Sequence, residues 1–222
     1  MDAGDGKMWR LAGRAALAAV LAAAGVTALA AGVPESGRVA AAIDHGDDAV
    51  LREIGHDVLP VMAELYRNGD RDRRVAVARA WYRLGWRSEE AKAALLADLG
   101  TRDSELRLEV QWALGRVSAD PEVVRRLLET MRTDVNPLFR DKAACALVSD
   151  QIHLTPEQRL AQFGGLIEAL TDEEPQVRSI AIQALKILTG QAKGFQPAAP
   201  PDQRAAAIAR WRQWLDDYRE SL

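Results

Sequence analysis

One short pattern occurs four times along this chain, and it constrains the fold more than any other feature. Each copy has an arginine followed by small or apolar residues three, six and seven positions later, as in Arg178, Ala181, Ala184 and Leu185. Offsets of three, six and seven lie on one side of a helix with 3.6 residues per turn, so each copy predicts a helix with one apolar stripe. The four arginines are Arg74, Arg107, Arg140 and Arg178.

A helix start also precedes each of these arginines. The residue four positions earlier is of a type that caps helix N-termini, although Glu174 is a poorer cap than the others. These residues are Asp70, Asp103, Asn136 and Glu174. Pro137 and Pro175 follow two of them at the first helical position, where a missing N–H has no cost. The four copies therefore predict the second helices of tandem helical hairpins over residues 48–190.

The segments on either side of the repeats differ from them. Upstream, helical spacing over Ala49–Tyr66 predicts a first helix that Pro60 kinks or splits. Downstream, Gln191–Pro201 is rich in proline and predicts an irregular segment. Asp202–Tyr218 then predicts a helix with Trp211 on its apolar stripe. Because repeat arrays need atypical terminal units, we expect residues 191–222 to form an irregular loop and a C-terminal capping helix.

The run Val-Arg-x-x-Ala-x-x-Ala-Leu at Val177–Leu185 and its three looser copies resemble HEAT repeats. The resemblance implies an all-α fold, a right-handed α-solenoid of about four HEAT-like helical hairpins with a C-terminal capping helix. It also implies that the four repeat arginines form a structural ladder in which acidic turn residues bind them across neighbouring units, with Asp70, Asp103 and Asp172 as the partners. A spacing of 33 residues also fits ankyrin repeats, but no Thr-Pro-Leu-His run occurs.

The N-terminus has the composition of a targeting segment. Three basic residues precede an apolar run from Ala15 to Ala31, and Ala28-Leu29-Ala30 offers a small-x-small cleavage site. This arrangement is typical of a secretory signal peptide, so we predict a signal peptide at 1–30 and a linker at 31–47. The expected location is exported, in the periplasm or cell envelope. The alternative is an uncleaved inner-membrane anchor with the repeat domain outside.

Composition and motifs favour a role without catalysis. The formal net charge of −3 gives no electrostatic reason to expect nucleic acid as a partner. No Gly-x-Ser-x-Gly elbow, phosphate loop or Cys-x-x-Cys motif occurs, and no cofactor is implied. The single cysteine, Cys145, lies among alanines in a repeat helix, so we expect a small buried residue rather than a nucleophile.

An acidic turn near the start of the repeats is the one candidate for a metal site. His45 lies beside Asp44, Asp47 and Asp48, and His56 follows eleven residues later. Two histidines and several carboxylates could bind a divalent metal. No pair of them has the helical spacing of a His-Glu-x-x-His motif, so we expect a solvated acidic turn and no metal.

The exposed side of the second helices is the candidate binding surface. In HEAT-like solenoids these helices line the concave face, and residues one, five, eight and twelve positions after each arginine lie opposite the apolar stripe. Aromatic residues and arginines, which are enriched at interaction hot spots, gather at these positions in the first two units. The candidate partner-binding residues are Arg79, Tyr82, Trp86 and Trp112, with Lys186 from the fourth unit. The alternative is that the helix at Ala49–Tyr66 or a loop covers them.

The function that this sequence predicts is an exported, non-enzymatic scaffold or adaptor that binds a protein or peptide partner on the concave face. One alternative is an enzyme or enzyme accessory of the HEAT-like lyase type. Another is a membrane-tethered structural spacer, which requires that the N-terminal apolar run stays uncleaved. No nucleic acid is expected as a partner, and a membrane is expected only in the tethered case.

Overall fold

The computed structural model describes residues 36–222, which form eleven α-helices, one π-helical turn and no β-strand. The predicted all-α class is therefore confirmed. The helices are α1 (Ser36–His45), α2 (Asp48–Ile54), α3 (Val58–Asn68), α4 (Arg71–Leu84), α5 (Glu89–Asp98), α6 (Ser104–Val117), α7 (Pro121–Thr133), α8 (Pro137–Cys145, followed by the π turn Ala146–Asp150), α9 (Pro156–Ala169), α10 (Pro175–Thr189) and α11 (Pro201–Glu220). The predicted signal peptide at 1–30 lies outside the described residues.

The first helices differ from the sequence prediction in two places. Part of the predicted linker at 31–47 forms α1, whose Val39 and Ile43 are buried against the rest of the protein. The predicted helix at Ala49–Tyr66 is split, but the break lies at Gly55, which has a positive φ of 86°, and not at Pro60. Pro60 is tolerated because it is the third residue of α3, where its backbone nitrogen needs no helical partner.

Side-chain capping fixes where three of the four second helices begin. Asp70, Asp103 and Asn136 each accept a hydrogen bond from a backbone N–H in the first turn of α4, α6 and α8. Glu174 makes no such bond, and α10 starts at Pro175 instead. The second helices therefore begin where the sequence pattern places them.

Consecutive helices pack as pairs, and the pairs pack on one another. The pairs α3–α4, α5–α6, α7–α8 and α9–α10 are in contact, and each second helix also packs against the next one, from α4 to α10. On the other side, α3 packs against α5, α7 against α9, and α9 against α11. The stripes that the sequence predicts are buried in this core, as Val110, Ala113 and Leu114 of α6 show.

Each repeat arginine donates hydrogen bonds in two directions. One bond goes back to a backbone carbonyl before its own helix, such as that of Gly69 for Arg74. The other goes forward to the next unit. The forward bonds are Arg74 to Asp98 at 3.3 Å, Arg107 to Asp134, Arg140 to the side chain of Gln176, and Arg178 to the carbonyl of Pro197 at 3.1 Å. The first three arginines thus connect one helix pair to the next, and Arg178 connects the last pair to the tail.

The acceptors differ from the acidic residues expected from the resemblance. Asp70 accepts the backbone N–H of Arg73, Asp103 accepts Arg71 at 3.0 Å, and Asp172 accepts Arg132 at 3.3 Å. Asp70 and Asp103 are engaged as helix caps, and their carboxylates lie at the starts of α4 and α6. The repeat arginines reach other groups of the next unit, which sequence spacing alone does not identify.

The tail packs against the last helix pair through aromatic side chains. Helix α11 packs against α9, and Trp211 is fully buried there. Phe163 of α9 meets Trp214 and Tyr218 edge-on, with ring centroids 5.1 and 5.3 Å apart. These contacts pack α11 against the first helix of the last pair, and its role as the cap of a repeat array stays a prediction. Among residues 36–222, no helix combines the length and the apolar character that crossing a membrane requires.

Breaking one forward arginine bond should destabilise the fold. We expect Arg107→Ala to lower the free energy of unfolding by about 3 kcal/mol, because the Asp134 side chain is only 7% exposed and would be left without its cation. The matched control is Arg125→Ala, whose side chain is 63% exposed and whose guanidinium lies 3.8 Å from its carboxylates, so its cost should stay within about 0.5 kcal/mol. Urea unfolding measures both values. Equal losses in the two variants would show that the arginine contacts contribute no more than surface ion pairs.

The tail should also contribute strongly to stability. We expect Trp211→Ala to cost about 3–5 kcal/mol, because it leaves a large cavity between α11 and α9. Gln213→Ala, two residues later on the exposed side of α11, should cost far less. The measurement is the thermal unfolding midpoint of both variants, and a near-native midpoint for Trp211→Ala would exclude a capping role.

Candidate partner-binding face

Arg79 occupies the predicted face, but its charge is used within the protein. Its guanidinium binds Glu105 at 2.7 Å and Glu109 at 2.8 Å, both on the neighbouring helix α6. Glu109 is only 8% exposed. The pKa of Arg79 is raised, chiefly by the hydrogen bond to Glu109. Arg79 therefore links α4 to α6, and removing it would leave a buried carboxylate without a partner.

The aromatic residues of the first two units contact one another. The rings of Tyr82 and Trp112 lie 6.3 Å apart at 45°, and the Arg116 guanidinium lies 4.5 Å from the centre of the Tyr82 ring. Tyr82 and Trp112 are both partly buried. Burial, followed by the nearby Asp150 carboxylate, raises the pKa of the Tyr82 hydroxyl. These side chains form a packed cluster in which the Tyr82 hydroxyl and the Arg116 guanidinium lie near Asp150.

Trp86 is covered by the segment between α2 and α3. His56 stacks on it with ring centroids 4.4 Å apart, and Arg52 lies 5.8 Å from its ring centre. Both covering residues lie within the segment predicted as the helix Ala49–Tyr66. Trp86 is therefore covered by this chain, as in the alternative given for the aromatic positions.

A loop of the third unit covers the ends of α4 and α6. We call residues 150–154, which run from the last residue of the π turn toward the start of α9, the strap. Gln151 donates to the carbonyl of Gly115 at 2.6 Å, and the His153 ring lies 2.9 Å from the carbonyl of Gly85. Arg87 donates to the His153 carbonyl at 2.7 Å. The strap therefore joins the third unit to the first two across 36 to 68 residues of sequence.

Gly115 permits this close approach. A Cβ added to it would lie 3.1 Å from the Cβ of Asp150 and 3.3 Å from the carbonyl of Ala146. Gly115 is the residue eight positions after Arg107, on the side of α6 that the sequence predicts to be exposed. Instead it is buried beneath the π turn and the strap. This part of the predicted face is therefore not accessible to a partner.

The carboxyl group of Asp150 is buried where the strap begins. Burial raises the pKa of Asp150 to about 6, and the Arg116 guanidinium, 3.9 Å away, partly offsets that rise. Tyr82 of α4 faces the same carboxyl group. A raised carboxyl pKa means that the folded protein favours the protonated form.

The raised pKa of Asp150 predicts a specific dependence of stability on pH. Its ordinary value is 3.8, so the contribution of this group is fully present below about pH 4 and is lost as the pH rises through about 6. Relative to Asp150→Asn, the wild type should lose about 1–2 kcal/mol of unfolding free energy over this interval, after solvent screening. The control is Asp216→Asn, whose carboxylate is 56% exposed. Urea unfolding at both ends of the interval checks this, and an unchanged pH slope in Asp150→Asn would contradict it.

The open part of the face lies on the third and fourth units. A groove of about 400 Å³ runs between α8 and α10. It is lined by Asp141, Ala144, Cys145, Val148, Ser149, Ser179, Ile180, Gln183, Ala184 and Ile187. Five of these are positions one, five or eight after a repeat arginine, which the sequence analysis assigns to the exposed side.

A second groove continues the first. It has a volume of about 460 Å³ and shares Val148 and Ile187 with the first groove. Its other lining residues are Arg159, Phe163, Leu188, Thr189, Trp214 and Tyr218. We call the two grooves together the trough. Ile187 exposes 59% of its surface there, which is unusual for a large apolar side chain.

The predicted burial of Cys145 is wrong. Cys145 is exposed in the trough because it lies five positions after Arg140, about 140° around the helix from that arginine and off the buried stripe. Partial burial and then the Asp141 carboxylate raise the pKa of its thiol. Because the thiolate is the reactive form, this environment does not activate Cys145 as a nucleophile.

Lys186 lies beside the trough, and the histidines lie elsewhere. Lys186 is exposed between Gln183 and Ile187 on α10. His45 binds the carbonyl of Ala41 through Nδ1, and His56 stacks on Trp86. The neighbouring carboxylates of Asp44 and Asp48 bind Arg73 and Arg83. Within residues 36–222, no three histidine, cysteine, aspartate or glutamate side chains converge as metal ligands would.

Ile180 and Ile187 are not among the binding residues predicted from the sequence, although their spacing carries a signal. They lie two and nine positions after Arg178, outside the three, six and seven stripe, and are seven residues apart on one side of α10. Apolar residues off the buried stripe of a surface helix indicate a second contact surface.

Comparison with known proteins provides no relative for this chain. No family model matches it, and no curated protein or solved structure shows significant similarity to it.

Proposed function

We propose that this protein is an exported, non-enzymatic adaptor that binds a protein or peptide partner on the face formed by its second helices. In this proposal residues 48–190 form a right-handed, HEAT-like solenoid of about four hairpins, with residues 191–222 as its cap. The apolar run at 15–31 directs export, by cleavage or as a retained anchor.

Two features of the packing support the solenoid. Second helices contact second helices in chain order from α4 to α10, as stacked repeats do. The four repeat arginines each donate to the unit that follows, although their acceptors are an aspartate, an aspartate, a glutamine and a carbonyl. Equivalent arginines that bridge successive units are the contact that the resemblance to HEAT repeats implies.

The observation that carries the binding role is the open trough. Its floor consists of apolar side chains from α8 and α10, and Trp214 and Tyr218 border one end. An apolar surface with polar edges is the general form of a site that binds another protein segment. The first two units are less available, since Arg79 is paired with carboxylates and Trp86 is covered by His56. The proposed partner therefore contacts mainly the third and fourth units, including Lys186.

The single cysteine allows a direct test. A photoreactive maleimide attached to Cys145 places the crosslinking group inside the trough, and illumination in a native envelope fraction should join it to one or a few defined proteins. Ile187→Asp, which keeps Cys145 but puts a charge in the apolar floor, should abolish those products.

The control moves the crosslinking group out of the trough. In Cys145→Ser with Ala209→Cys, the thiol lies on an exposed position of α11 away from the trough. This variant should not give the same products. If it does, or if Ile187→Asp leaves them unchanged, the trough is not where the partner binds.

A further inference from the structure

The trough has different charges at its two ends. At the end near the helix N-termini, its one lining carboxylate is Asp141. At the other end, Arg159 lines the trough, and Lys186 flanks it one residue before Ile187. Within residues 36–222, neither Arg159 nor Lys186 has a carboxylate within ion-pairing distance, whereas Asp141 is 3.7 Å from Lys142. These two cations are therefore available to bind an external group, although the chain as a whole has a net charge of −3.

The shape of the trough fits a helix. Its floor is built from side chains spaced three or four residues apart, Ala144 of α8 and Val148 of the π turn on one side and Ile180, Ala184 and Ile187 of α10 on the other. Such rows form the ridges and grooves into which a third helix packs. Asp141 to Val148 spans about 10 Å along α8 and the π turn, and the second groove extends the trough, so about three helical turns would fill it.

We propose that the trough binds an amphipathic helix of a partner protein, with carboxylates in the last turn of that helix facing Arg159 and Lys186. This rests on the proposed adaptor function and specifies its partner. The apolar stripe of the bound helix covers Val148, Ile180 and Ile187, and its aromatic contacts are Trp214 and Tyr218. Its N-terminal end, which carries partial positive charge, lies toward Asp141. Both charged ends of the trough therefore favour the same direction of binding.

Synthetic peptides test this inference without the natural partner. Three fluorescent peptides of about 14 residues share leucines at helical spacing and differ only in two last-turn residues, which are glutamate, glutamine or lysine. Fluorescence anisotropy should show the glutamate peptide binding about tenfold more tightly than the lysine peptide, with the glutamine peptide between them. Raising the salt concentration should reduce this difference.

Charge variants locate the effect. Arg159→Gln and Lys186→Gln should each reduce the preference for glutamate over lysine about threefold or more, while affinity for the glutamine peptide stays nearly unchanged. Arg125→Gln, which removes a 63% exposed arginine of α7 outside the trough, should leave the preference intact and so controls for net charge. Ile187→Asp should weaken all three peptides.

Two results would overturn the inference, and each leaves a different part of the proposal intact. If all three peptides bind equally and Ile187→Asp abolishes their binding, the trough binds apolar segments and only the charge preference is wrong. If no peptide binds while the Cys145 crosslinks persist, the trough has a partner but it is not a helix of this kind. Failure of both experiments would remove the adaptor function as well.

Discussion

The bond from each repeat arginine to the following unit is the interaction on which the rest of the structure depends. A guanidinium has several donors in a fixed plane, so it can bind a carbonyl of its own turn and an acceptor of the next unit together. Arg178 shows this, with bonds to the carbonyls of Asp172 and Pro197. Because the acceptors of the first three arginines lie in the following unit, these bonds help to set how one hairpin sits on the next.

This stacking determines which part of the face remains open. Cross-unit contacts continue on the surface of the first two units, where Arg79 binds carboxylates of α6 and the strap covers Gly115. The aromatic and charged side chains that suggest a binding surface in the sequence are therefore occupied by contacts within the chain. The third and fourth units have no covering segment among the described residues, and the trough lies there.

The strap includes buried polar groups that destabilise the fold, and other contacts offset this cost. It brings the Asp150 carboxyl group into a buried position near Arg116 and leaves the Arg116 Nε and the Gln151 Oε1 without hydrogen-bond partners within the described residues. Unsatisfied buried polar atoms are destabilising unless other contacts offset them. Here the bonds of Gln151 and His153 to the carbonyls of Gly115 and Gly85 hold the strap in place.

The sequence by itself determined the second helices of the pairs and their buried stripes, because the pattern of Arg107, Val110, Ala113 and Leu114 is set by helical periodicity and local capping. The helical periodicity also places Cys145 and Gln183 on the exposed side. Only the tertiary structure decided the acceptors of the arginines, the covering of Trp86 and the position of the trough. These depend on contacts between residues far apart in the chain, such as His153 with Gly85, and on close approaches such as that of Asp150 to Gly115, which no local spacing encodes.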